Sequence, residues 1–112
     1  MNRTLALLVI AAMGYMWAAS VGRADDRAPG DPVRGKELSA ICTVCHDGDG
    51  RSRFNLYPRI AGQTYEYLFI SLKEFRLRER HQAYASLMWP SVAELSDQDL
   101  RDLSVYYSRL PW

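Results

Sequence analysis

Neither charge is in excess in this chain of 112 residues: 14 Lys and Arg stand against 13 Asp and Glu. A nucleic-acid binder needs surplus cations to displace the counterions of the phosphates, so that class is excluded. Cysteine is scarce. Two residues allow one disulfide at most, and a scaffold held by several is excluded. Histidine is equally scarce, with His46 and His81 alone. No stretch alternates apolar and polar residues over the length of a strand, nothing repeats, and there is no low-complexity run. The length admits one domain and excludes a multidomain enzyme. What the chain does have is hydrophobic residues, at 48% too many for a disordered polypeptide.

Those residues are spread unevenly. Met1-Asn2-Arg3 is a short positive start, and Thr4 to Ala19 then run sixteen residues without a charge. Gly22-Arg23-Ala24 follows as a small-x-small site, with Asp25-Asp26 beyond it. These are the three parts of a secretory signal peptide, residues 1–24, with Ala24 as the expected cut. The alternative is an uncleaved anchor. Sixteen helical residues reach about 24 Å against a hydrocarbon core of about 30 Å, a gap that Ser20-Val21-Gly22 narrows. Both readings imply export, and contact with a membrane is expected only if the leader stays. Removing residues 1–24 takes Arg3 and Arg23 from the basic count, leaving 12 against 13 acidic and a mature chain of 88 residues at −1. It also takes Met1, Met13 and Met16, so that Met88 is the one remaining methionine. A core at this size is marginal by itself and calls for a filler.

Residues 25–30 read as a linker, and residues 31–112 as the folded domain. Asp31-Pro32 is a helix start, with Asp as cap and Pro in the first turn. Leu38, Ile41, Cys42 and Cys45 then share one helical face, which turns both sulfurs toward the interior. Gly35 within this helix costs about 1 kcal/mol against Ala, which close approach by another helix would explain. A seventeen-residue loop, Asp47–Gln63, leads to a second helix from Thr64 to about Glu79. Tyr65, Leu68, Phe69, Leu72 and Phe75 form its stripe, and Tyr67 and Ile70 fall off it, as if two sides were covered. Arg80–Leu95 is a second long irregular stretch. Loops of such length in a small domain are normally functional or disordered. Ser96 and Asp99 form a capping box for the last helix, whose inner face is Leu100, Leu103, Tyr107 and Leu110 and which Pro111 ends. The fold class is all-α, with three main helices and two long loops.

Cys42-Thr43-Val44-Cys45-His46 is the strongest signal. C-x-x-C-H is the attachment pattern for c-type haem. Two thiols one helical turn apart can add to the two vinyl groups of one porphyrin, and the adjoining imidazole supplies a proximal iron ligand. Three other chemistries use similar residues. A redox-active thiol pair would sit at a helix N-terminus after a strand, where its pKa falls. Structural zinc would need a fourth ligand, from His81 or a carboxylate. A plain disulfide is open to any exported protein.

The chain resembles the class I c-type cytochromes, in the branch of small bacterial periplasmic proteins whose two-haem members join two such domains. The likeness spans residues 31–111. It rests on Cys42-x-x-Cys45-His46, Asp47-Gly48-Asp49-Gly50, Tyr57-Pro58-Arg59-Ile60-Ala61-Gly62-Gln63, Tyr67-Leu68, Phe75-Arg76, Met88, Leu95-Ser96-Asp97 and Tyr106-Tyr107. One departure is Asp47, where many relatives carry Gly, which puts a carboxylate beside the haem edge. The resemblance implies a small cytochrome c fold, both loops wrapping one covalent haem c that fills the core. It implies Cys42 and Cys45 as thioether links, His46 as proximal ligand and Met88 as distal ligand. Met88 also has its uniqueness and loop position in its favour; His81 is the alternative. Pro58, twelve residues after His46, would offer its carbonyl to the second imidazole nitrogen; otherwise it is a turn proline.

Lys73, Arg76, Arg78, Arg80, Arg51, Arg53 and Arg59 read as a solvated basic face, from which one or two guanidiniums would pair with haem propionates or steer an acidic partner. Tyr106 and Tyr107 read as packing against Gly35. The implied function is a periplasmic one-electron carrier that docks transiently with redox partner proteins. No small-molecule substrate is expected, and no protein nucleophile or base. Two other classes stay open: the haem subunit of a periplasmic dehydrogenase, and a small-ligand-binding or peroxidatic haem protein, which needs an open sixth site.

Overall fold

A computed structural model of the protein describes residues 29–112. The leader 1–24 and linker positions 25–28 lie outside the described residues. The Asp31 side chain accepts the Val33 N–H at 2.8 Å and starts α1, Pro32–Leu38, with Pro32 in its first turn. The backbone then tightens into a 3₁₀ turn, Ser39–Ile41, before the single turn α2, Thr43–His46. The expected continuous helix from Asp31 through Cys45 is therefore broken. Hydroxyls account for the change: Ser39 Oγ donates to Lys36 O at 2.7 Å and Thr43 Oγ1 to Ala40 O at 2.8 Å. Each takes a carbonyl that α-helical bonding would use. A 3₁₀ residue advances about 120° rather than 100°, so the apolar stripe drifts and Ile41 ends 53% exposed. Both cysteines are half-buried, and Cys42 packs against the core of Leu68, Leu103 and Tyr107.

Thr64 caps α3, Tyr65–Arg76, accepting the Tyr67 N–H. This helix ends three residues before Glu79, because Arg78 turns the chain with φ +58°. Leu68 is buried, while Tyr65, Phe69, Leu72 and Phe75 are half-buried. Tyr67 and Ile70 are more than half exposed, so the described residues cover one side of α3 only.

Arg80–Leu95 is less irregular than expected. It holds a 3₁₀ turn, Ala85–Met88, and the short helix α4, Trp89–Val92. Pro90 favours a helix start at this point, and Val92 gives the turn a buried apolar anchor. Ser96 and Asp99 close a capping box on α5, Asp97–Ser108. Leu100, Leu103 and Tyr107 are buried on its inner face, and Leu110, half-buried, continues that face in the turn after the helix.

The helices α1 and α5 cross at Gly35. A Cβ there would fall 2.1 Å from Asp102 O and 2.8 Å from Tyr106 Cβ, so the close approach requires glycine. The buried Asp102 carboxylate accepts the Asp31 N–H and the Gln98 amide, each at 2.8 Å, and so fastens the start of α1 to α5. Arg76 ties α3 to α5: Nη1 donates to Leu95 O at 2.8 Å, and Nη2 pairs with Asp97. Among the described residues there is no strand.

Candidate functional site

The turn α2 delivers both thiols and the imidazole from one short segment. Cys42 and Cys45 are free, so no disulfide joins them. Burial pushes the Cys42 thiol up, partly offset by the Tyr107 hydroxyl beside it, and keeps it protonated. That hydroxyl is itself buried, and burial pushes its pKa up as well. A redox-active thiol pair is opposed by these facts, since such a pair has a lowered pKa and follows a strand. Zinc is opposed too: no group of three or more His, Cys, Asp or Glu that could hold a metal occurs among the described residues.

His46 is 4% exposed. Its Nδ1 lies 2.8 Å from Pro58 O. A proline carbonyl only accepts, so Nδ1 carries the proton and the Nε2 lone pair is left for a metal. Burial holds the imidazole below its ordinary pKa, against the opposing effect of the Pro58 bond, and the ring is neutral as a ligand must be. Tyr57 meets it edge-on, with ring centroids 6.3 Å apart.

The loop that brings Pro58 to His46 is irregular but well bonded. Ser52 N–H donates to His46 O at 3.0 Å, and Ser52 Oγ donates to Cys45 O at 3.1 Å. Asp47, at φ +60°, accepts the Arg53 N–H at 2.8 Å and its Nε–H at 3.3 Å. Further along, Ile60 and Ala61 N–H both donate to Gly50 O, and Gly62 N–H to Tyr107 O at 2.9 Å.

Met88 closes the Ala85–Met88 turn and lies near His46, an arrangement consistent with His/Met ligation. His81 is exposed and presents its ring to the Trp89 indole, centroids 5.7 Å apart at 86°. The donor set is thus two free thiols at haem-attachment spacing, an imidazole with one nitrogen engaged, and a thioether. Its chemistry fits haem c.

Much of the expected solvated basic face is structural. Arg76 ties two helices, Arg78 and Arg80 lie over the Trp89 and Phe75 rings, and Arg59 over Trp112. Arg51 Nη2 donates to Pro111 O and Trp112 O, each at 3.0 Å. The anchors of Arg51 and Arg59 on the C-terminal residues, and Trp112 itself, escape a reading by sequence, because partners so far apart in the chain leave no local pattern. Trp89 had a signal that could have found it: a large ring next to the one candidate thioether, followed by proline.

A helical domain carrying this motif on a buried, neutral histidine is that of a covalent haem protein. The chain matches the Cytochrome c family over residues 32–110, and it belongs to that family. It is 38% identical over 79 residues to cytochrome c-554(548) of Halomonas halodenitrificans, covering 70% of this chain and 95% of that protein. It is 34% identical over 83 residues to cytochrome c4 of Thiocapsa roseopersicina, covering 73% of this chain but 41% of that one. The crystal structure of reduced recombinant cytochrome c4 from Pseudomonas stutzeri aligns with a TM-score of 0.64 at 32% identity, over 73% of this chain and 46% of that chain. The chain therefore spans nearly all of the first relative and under half of the cytochromes c4. It is a cytochrome c electron carrier rather than an enzyme, with one C-x-x-C-H motif for one covalent haem c and redox proteins as its partners.

Proposed function

We propose that Cys42 and Cys45 bind the haem through thioethers, that His46 Nε2 is the proximal ligand, and that the Met88 thioether is the distal one. When bound, haem c supplies a one-electron ferric/ferrous couple. The chain's part is to keep both ligands in place while the charge changes. Pro58 O holds His46 in one tautomer and one orientation. With Met88 rather than a second histidine as ligand, a neutral thioether sulfur would favour the ferrous state and raise the potential. The observation that carries this reading is the 2.8 Å contact between His46 Nδ1 and Pro58 O, which leaves Nε2 as the coordinating atom.

The protein works in the periplasm, exported by residues 1–24 and cut after Ala24, and meets its redox partners in brief encounters. Bacterial soluble relatives are periplasmic, which supports this location.

Met88→Ala tests the ligand assignment. Removing the thioether is expected to abolish the weak red ferric band of iron–sulfur bonding, lower the potential, and let carbon monoxide bind the ferrous protein. A variant that keeps the wild-type spectrum and potential would rule Met88 out.

A further inference from the structure

Met88 sits on a segment that one aromatic ring ties down. Trp89 follows it directly, is half-buried, and begins α4. Its backbone N–H donates to Ser86 O, closing the turn that carries Met88. Its indole Nε1–H donates to Arg80 O at 3.3 Å. The Arg78 guanidinium lies 5.4 Å from the centre of the ring, and His81 meets it edge-on. Arg80 is tied in turn to α3, with its guanidinium 4.7 Å from the Phe75 ring centre and 4.0 Å from Glu74. The chain bends on either side of Arg80. Arg78 and Ala83 adopt φ of +58° and +49°, conformations that disfavour side chains other than glycine and persist where surrounding contacts hold them. On the far side, Val92 is buried and anchors the other end of α4.

We propose that Trp89 is a positioning residue for Met88: the indole, clasped by Arg78, His81 and the Arg80 carbonyl, fixes the start of α4 against α3 and so holds the thioether at one place. This rests on Met88 as the distal ligand. No contact of Trp89 with the haem is involved. The clasp acts on the backbone that carries the sulfur, and lowers the fraction of time in which the ligand swings away from the iron. Arg80 serves through its main-chain oxygen, so the indole N–H is the side-chain group whose removal isolates the effect.

The experiment compares wild type, Trp89→Phe and Met88→Ala as exported, haem-loaded proteins. The readouts are the ferric red band and the affinity of the ferric protein for added imidazole, which competes for the sixth position. Phenylalanine keeps an aromatic ring for Arg78 and His81 while removing the N–H donor together with part of the indole's ring surface. A hydrogen bond has a net worth of about 0.5–1.5 kcal/mol, so imidazole affinity is expected to rise roughly two- to tenfold in Trp89→Phe. The red band should weaken in step. A fall in unfolding temperature alone, with imidazole affinity at the wild-type value, overturns the proposal and leaves Trp89 a packing residue. Met88→Ala separates the two readings. If it opens the iron to imidazole while Trp89→Phe behaves as wild type, the clasp fails and the ligand assignment stands. If Met88→Ala changes neither readout, the ligand assignment fails and the clasp falls with it.

Discussion

Asp47 occupies a conformation that suits glycine, φ +60° and ψ 168°, immediately after His46. Asp47 departs from the glycine that the resemblance leads one to expect at this place: the backbone takes a positive φ there, and Asp47 meets the strain with its carboxylate. That carboxylate accepts the Arg53 N–H and guanidinium, closing residues 47–53 into a hydrogen-bonded ring. The backbone bond carries most of the benefit, since the Arg53 side chain is largely exposed and an exposed ion pair contributes little. Asp47→Ala keeps the strain and loses the acceptor. It is expected to destabilise the haem-loaded protein by about 1–2 kcal/mol in denaturant unfolding. Asp47→Gly loses the same acceptor but relieves the strain, and should lie closer to wild type. Equal stability of Asp47→Ala and wild type would show that the Arg53 bonds contribute nothing.

Where the helices meet, two polar devices decide the geometry: Asp102 fastens α1 to α5, and Arg76 fastens α3 to α5. The second is sensitive to acid. The hydrogen bond from Arg76 holds the Asp97 carboxyl below the ordinary carboxylate pKa. A depressed folded pKa means that the stabilisation is present above the unfolded value and is lost as pH falls through the folded one. Asp97→Asn should therefore flatten the acid limb of the stability profile, read as the denaturant midpoint between about pH 6 and pH 3. If wild type and variant fall in parallel, the pair contributes no pH dependence. The legible parts of these elements were the locally encoded ones: Asp31 and the Ser96–Asp99 box are caps with a sequence signature, and Gly35 announced a close crossing. The break at Ser39–Ile41 was not legible, because the hydroxyl bonds of Ser39 and Thr43 compete with a helix that the apolar spacing supports equally well. Arg76 looked like one cation among several, since its partners Leu95 and Asp97 lie about twenty residues away.

The chain as a whole has little core of its own. Among the described residues the buried hydrophobics are Ala61, Leu68, Val92, Leu100, Leu103, Val105 and Tyr107, and the largest fully buried side chains include a serine, Ser104. The family's function was legible because five adjoining residues, Cys42 to His46, encode an attachment chemistry that no packing requirement would produce. The surroundings were not, because the contacts of Arg51 with Trp112 and of Trp89 with Arg80 depend on how two long loops close. A domain near this size needs an added apolar body or cross-link. Haem c would supply both: Cys42 and Cys45 would hold it, and its apolar body would give the two long loops a surface to pack on. The helices α1, α3 and α5 are each short, and isolated helices of such length are marginal in water. Cys42→Ser/Cys45→Ser, which cannot form the links, is thus expected to lose helical signal in far-ultraviolet circular dichroism and to show no cooperative melt. The wild-type protein with haem attached should melt in one transition. If the serine variant melts cooperatively near the holoprotein's temperature, the crossing of α1, α3 and α5 is sufficient, and the cofactor serves electron transfer without also completing the fold.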